Sequence, residues 1–175
     1  MYFFDSIDYL QHGTPRQKHT FRTLSEIGII EKLAGYSPTL AGTIPINIDI
    51  DKSDLDILCH YTNADVFYKK VFDAFSHFQD FKIVKTTVNG TETVLANFYC
   101  NDFEIEIFGQ PIPVHQQNGY LHMIAEYQIL VKYGEPFRKQ VIALKEAGYK
   151  TEPAFAKLLG LEGDPYEALL NYRLL

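Results

Sequence analysis

The run Gly42-Thr43-Ile44-Pro45-Ile46-Asn47-Ile48-Asp49-Ile50-Asp51-Lys52-Ser53-Asp54-Leu55-Asp56-Ile57 carries the strongest structural signal in the chain. It closes on acid, apolar, acid, apolar, and continues into Leu58 and Cys59. On a β-strand this alternation puts Asp54 and Asp56 on one face, about 7 Å apart along the chain, with Leu55 and Ile57 on the other. Two carboxylates sharing a face repel one another unless a cation neutralises them, and hard divalent ions such as Mg²⁺ prefer oxygen ligands of this kind. Upstream, with ten residues between Thr43 and Asp54, Gly42-Thr43 offers a small-residue turn where backbone N–H groups can approach a phosphate.

A second alternation lies downstream in Phe103-Glu104-Ile105-Glu106-Ile107-Phe108. If that strand runs beside Asp54-Leu55-Asp56, one of its glutamates completes a three-carboxylate cage. Such a cage can hold two metal ions around a triphosphate and stabilise both oxygens of an in-line phosphoryl displacement. Either alternation alone also fits a half-solvated antiparallel strand. Glu104 and Glu106 share a face, so the alternation by itself leaves the third acid open between them.

Around these strands the periodicity changes several times. Phe21, Leu24, Ile27, Ile30, Leu33 and Ala34 recur at helical spacing and predict a helix from Gln17 to Ala34, ended by Gly35. Ser37 to Gly42 is a short strand or loop. Thr62 or Asn63 caps a helix with Phe67, Val71, Ala74, Phe75 and Phe78 on one side. Phe81 to Val88 and Thr93 to Cys100 are β-rich and flank Asn89-Gly90, a hairpin signal, so three antiparallel strands run consecutively to Phe108. Helices follow: Asn118 to Tyr133, Pro136 to near Gly148, Thr151 to Leu159, and one opened by Asp164-Pro165 with Glu167. The expected fold is α+β, a mixed or antiparallel sheet flanked by helices with a C-terminal helical tail. A core over 1–112 and a helical subdomain over 113–175 would form one compact unit.

Composition sets limits on function. The 175 residues are 46% hydrophobic and 22% charged, a globular balance that can bury a large core without a staple. Sixteen basic against 22 acidic residues give a net charge of −6, which argues against an extended nucleic-acid surface but leaves room for a small nucleotide pocket. Cys59 and Cys100 lack any CxxC spacing and read as buried free thiols. The start MYFFDSIDYLQHG has no basic region and is broken by Asp5 and Asp8, so no secretory signal is expected there. No apolar run approaches the roughly 20 residues of a membrane span, and the expected location is cytoplasmic.

In this order, Ala41-Gly42-Thr43, then Asp54-Leu55-Asp56-Ile57, then Glu104 or Glu106, the chain resembles nucleotidyltransferases of the polymerase-beta type. Gly-Thr-Ile-Pro-Ile followed by Lys-Ser-Asp-Leu-Asp-Ile also looks like the GrpB-like branch. With His122-Met123, the stretch Gly42 to Ile57 resembles an uncharacterised bacterial domain-of-unknown-function family grouped with these folds. The resemblance implies a Mg²⁺-dependent (or Mn²⁺-dependent) protein that moves a nucleoside monophosphate from an NTP to an unknown acceptor. It implies Asp54, Asp56 and Glu106 as catalytic metal ligands, Glu104 as the alternative ligand, and Gly42, Thr43 and Ser53 at the nucleotide. Thr43 departs from the Gly or Ser of the pattern, adding a methyl group beside the phosphate. A catalytically silent nucleotide or small-ligand module on the same fold is the alternative.

Other patterns are weaker. An EF-hand beginning at Asp49 fails, since Asp54 replaces the required glycine and His60 the closing glutamate. Asp49 and Asp51 read as a solvated loop, and Lys52 as an exposed loop lysine. His122 and Glu126 share a helical face and read as a surface pair, or as a pair facing the cleft between tail and sheet. His115 sits at the sheet-to-helix junction, and Arg16, Lys18 and Arg22 offer positive charge with no fixed direction. Thirteen Phe and twelve Tyr read as core rather than as a base-stacking surface.

Overall fold

A computed structural model describes residues 3–173. It contains helices α1 (Pro15–Ile27), α2 (Ile29–Lys32), α3 (Ala64–Phe75), α4 (Asn118–Glu146), α5 (Thr151–Leu159) and α6 (Pro165–Asn171). Its strands are β1 (Thr39–Ala41), β2 (Leu55–His60), β3 (Gln79–Val88), β4 (Thr91–Cys100) and β5 (Phe103–Gln110). The five strands form one mixed sheet in the order β1-β2-β5-β4-β3. β3, β4 and β5 run antiparallel in sequence, as expected from the two turns. Asn89 (φ 49°) and Gly90 (φ 77°) turn the first hairpin, Asn101 (φ 47°) and Asp102 (φ 68°) the second, all in the left-handed conformation such turns need. β5 then lies parallel to β2, which only the long connection through α3 and two strands permits.

The expected Gln17–Ala34 helix is interrupted. Gly28 adopts φ 62° and its N–H closes on Leu24 O and Ser25 O, ending α1 before a four-residue α2. A glycine inside a periodic pattern supplies the cap, and the periodicity carries on only because α2 buries Ile29 in the same core. Asn63, rather than Thr62, caps α3 by accepting from Val66 N. Gly134 (φ 70°, ψ −164°) breaks α4 just ahead of Pro136, so the helix has two segments as its sequence predicts.

Alternation along the strands sorts side chains into two layers. Leu55, Ile57 and Cys59 of β2, Phe98 of β4 and Ile105 and Ile107 of β5 face α1 and α3, where Phe67 and Phe75 are fully buried. Leu58 and Phe108 face the other way, where Met123, Ile129, Phe155 and Leu169 of the tail helices cover them. Phe67, Phe75 and Phe98 are therefore core, as expected, whereas Phe72, Tyr99, Tyr133 and Tyr149 are exposed. Asp56 and Glu106 belong to that second face, under the tail helices. No helix among the described residues is long and apolar enough to cross a membrane.

Candidate functional site

Asp56 and Glu106 are in-register neighbours on the parallel strands β2 and β5. Adjacent strands lie about 4.8 Å apart, so two acids in one register and on one face are held close by the backbone itself. Ala41 precedes Asp56 in the same row and Asn97 follows Glu106, with Asn97 Nδ2 donating to Glu106 Oε2 at 3.2 Å. Asp54 stands just before β2. It shares with Asp56, Glu106, Gly42 and Thr43 the wall of a cavity of about 510 Å³ between sheet and tail.

The carboxylates perturb one another. Burial raises Asp56 to a pKa of about 8, helped by the charges of Asp54, Glu106 and Glu152. Glu106 is also raised, first by burial and then by Asp54 and Glu104, against the lowering effect of its Asn97 hydrogen bond. Hard anionic oxygens on one cavity wall are the donor chemistry of Mg²⁺ or Mn²⁺. Among the described residues, no three His, Cys, Asp or Glu side chains already stand at metal-holding spacing. The donors thus fit the ion in kind and in facing.

Gly42 is the close neighbour of this cluster. It adopts φ 82°, and a Cβ there would sit 2.5 Å from Asp56 Oδ2. Position 42 therefore has both the conformation and the space that glycine alone supplies. After it, the chain from Thr43 to Ser53 makes no strand, despite its alternating aliphatics. Its carbonyls are instead tied by side chains from two helices: Gln17 Nε2 donates to Ile44 O at 2.9 Å, Arg138 to Asn47 O at 2.9 Å, and Lys145 Nζ to Ile48 O at 2.7 Å. Ile44, Ile46 and Ile48 turn inward to both core layers.

The sequence-predicted residues divide in two. Asp54, Asp56, Glu106, Gly42 and Thr43 meet at the cavity. Ser53 does not line it: its Oγ accepts from Thr43 Oγ1 at 3.1 Å and from Ile50 N at 3.0 Å, closing the loop. Glu104 also lies outside, exposed and accepting from Tyr99 Oη at 3.1 Å. Asp49, Asp51 and Lys52 line a separate groove with Arg16. Arg16 stacks over the Phe103 ring at 4.1 Å, and His115 Nε2 pairs with Asp5 at 2.8 Å.

His122 and Glu126 are not a surface pair; they are 8% and 3% exposed and line the cavity. Their helix is covered by α5 and α6, which a two-residue spacing argument does not see. His122 Nε2 donates to Tyr166 O at 3.1 Å, and its Nδ1 lies 3.9 Å from Glu152 Oε1. Burial and Glu152 hold the Glu126 carboxyl well above its ordinary range, with Lys145 opposing. Glu152, Gln110 and Gln117 also line this space and carry no motif by which sequence alone would select them.

Residues 22–172 match the family model described as domain of unknown function DUF4269. No curated protein matches the chain. Among solved structures, the Cid1 poly(U) polymerase bound to MgGTP aligns with a TM-score of 0.54 at 10% identity, over 73% of this chain and 41% of that one. The GLD-2/RNP-8 complex aligns with a TM-score of 0.53 at 14% identity, over 87% and 57%. A cytoplasmic RNA terminal U-transferase aligns with a TM-score of 0.52 at 11% identity, over 87% and 46%. The chain spans about half the length of these proteins, and at such identities the likeness is one of fold.

Proposed function

The chain belongs to the DUF4269 family and has a nucleotidyltransferase-like fold, and from this premise we propose that it is a metal-dependent nucleotidyltransferase. The observation that carries the reading is that Asp54, just before β2, Asp56 of β2 and Glu106 of β5 line one cavity together with Gly42-Thr43.

Asp54, Asp56 and Glu106 would hold Mg²⁺ or Mn²⁺, which when bound supplies charge neutralisation for the phosphates and for the oxygens of the transferred group. Glu104, outside the cavity, is too far out to serve as third acid. Gly42 and Thr43 seat the phosphates: the glycine lets backbone approach, and the Thr43 hydroxyl is oriented by its bond to Ser53. Ser53 thus serves the nucleotide through Thr43 rather than by contact. An acceptor hydroxyl attacks the α-phosphorus; its O–P bond forms, the bond to the bridging oxygen of the β-phosphate breaks, and pyrophosphate departs. The hydroxyl proton passes to a cavity carboxylate. Catalysis of this type is positioning and electrostatics, so no covalent nucleophile is required. We place the protein in the cytoplasm with an NTP and an acceptor as its partners, and without a membrane or an extended nucleic-acid surface.

Pyrophosphate release from a panel of NTPs with Mg²⁺ or Mn²⁺ tests the reading. Release that vanishes in Asp54→Asn and Asp56→Asn supports it. Stabilisation by Mg-NTP without release makes the chain a nucleotide-binding module, and neither effect overturns both.

A further inference from the structure

The cavity is lined by five carboxylates, Asp54, Asp56, Glu106, Glu126 and Glu152, and by no Lys or Arg among the described residues. Lys145 approaches from behind, where its Nζ is bound to Ile48 O, and His122 is the one other titratable group on the wall that could carry positive charge. A nucleic-acid strand needs phosphate-neutralising Lys or Arg along its path, and this wall has the opposite sign. Metal ions on Asp54, Asp56 and Glu106 would leave Glu126 opposed only by Lys145, which lies outside the wall, and Glu152 by His122 at 3.9 Å and by Lys145.

Two independent features point to a ligand there. Glu126 is 3% exposed, lines the cavity, and has no hydrogen bond or ion pair among the described residues. Such a buried acid costs free energy until a cation or a donor meets it. Toward the other end of the same wall, Gln117 is 1% exposed. Its Nε2 donates to Cys59 O and Ile112 O, both at 2.9 Å, and this fixes the amide and leaves Oε1 without a partner. Gln117 precedes α4 and Glu126 stands nine positions on, with a rise of about 13.5 Å at 1.5 Å per residue.

We propose that the cavity binds a small amine-bearing cation, with an ammonium group against Glu126 and Glu152, and that this ligand is the acceptor. Its role as acceptor rests on the nucleotidyltransferase reading; its charge does not. Acceptors of this class are hydroxylated amines, whose hydroxyl is the attacking group; a polyamine, which has none, fills the ammonium site without reacting. A polynucleotide end is excluded by the wall's charge.

Spermidine is the probe, titrated calorimetrically into the full chain at fixed ionic strength without metal or nucleotide, so that the result is independent of Mg-NTP binding. One-to-one binding is expected, weakened at least tenfold in Glu126→Gln and in Glu152→Gln. Glu162→Gln, on an exposed residue outside the cavity, should bind as the wild type does. Glu152 is partly exposed, so its variant keeps the test valid should Glu126→Gln fail to fold. Three results overturn the proposal: unchanged affinity in Glu152→Gln, weakening in Asp54→Asn but in neither glutamate variant, or tighter binding of a short oligo(A) RNA than of spermidine.

Discussion

A Cβ at position 42 would lie 2.5 Å from Asp56 Oδ2, so the turn before the loop and the second acid after it occupy adjoining space. Two segments that stand 14 positions apart in sequence are thereby interlocked: the loop cannot shift toward the strand without displacing the carboxylate. Gly42→Ala should cost stability through the left-handed φ of 82°, about 1–3 kcal/mol, and push Asp56 out of its row. Chemical denaturation checks the first effect, and loss of Mg-dependent ATP binding the second. A variant with wild-type affinity would show that Asp56 is not held by this contact.

Burial, then the charges of Asp54, Glu106 and Glu152, raise Asp56 to a pKa of about 8, so without metal it must take up a proton on folding at neutral pH, a cost that its neutral isostere avoids. Asp56→Asn is expected to melt several degrees higher than wild type without metal at neutral pH, while losing Mg-dependent nucleotide binding. Mg-ATP at 100 times its dissociation constant should stabilise the wild type by about 2.7 kcal/mol and the variant not at all. A thermal-shift titration reads both.

Glu104 and Glu106 share a strand face, yet only Glu106 is in register with Asp56 and lines the cavity. Glu106→Gln should weaken Mg-dependent ATP binding at least about tenfold, since removing a metal donor costs no less than disturbing its support. Glu104→Gln should leave it within about twofold. Calorimetric titration of the two variants side by side decides; the reverse order would move the site toward the Asn101-Asp102 turn.

Lys145 has its pKa lowered to about 8 by burial, although Glu126, Asp49, Asp54 and Glu152 pull it upward. Below about pH 8 both folded and unfolded chains hold the proton, and the folded protein carries the full burial cost. Between about 8 and the ordinary lysine value of about 10.4 the unfolded chain binds more protons, so stability rises with pH. Relative to Lys145→Met, the wild type should therefore gain at most about 3 kcal/mol across that window. Urea denaturation of both proteins at pH 7, 9 and 10.5 measures it, and a pH-independent difference would mean that Lys145 stays charged in the fold.

Much of the architecture was legible because local rules and the global fold agree. Asn89-Gly90 and Asn101-Asp102 specify tight turns by their tolerance of positive φ, and the β3-β4-β5 meander follows. Gly134 with Pro136 marks the break in α4. Gly28 misleads, since a helical apolar pattern passes straight through a residue that ends the helix. The stretch from Ile44 to Ser53 alternates as a strand would, and Gln17, Arg138 and Lys145 satisfy its carbonyls as an irregular loop.

The order of residues alone pointed to Asp54 and Asp56 on one side of the chain, because an extended backbone has a period of two, although the strand itself begins only at Leu55. It also determined that a glycine turn would stand before them. Only the tertiary structure decided that Glu106, 50 positions away, would be the acid beside Asp56, since parallel register depends on how the intervening α3 and hairpin return the chain. It alone made Glu126, Glu152 and Gln117 neighbours of the same space. Those residues come from helices whose packing is driven by apolar burial, and burial constrains which face turns inward without specifying which polar groups are carried in with it.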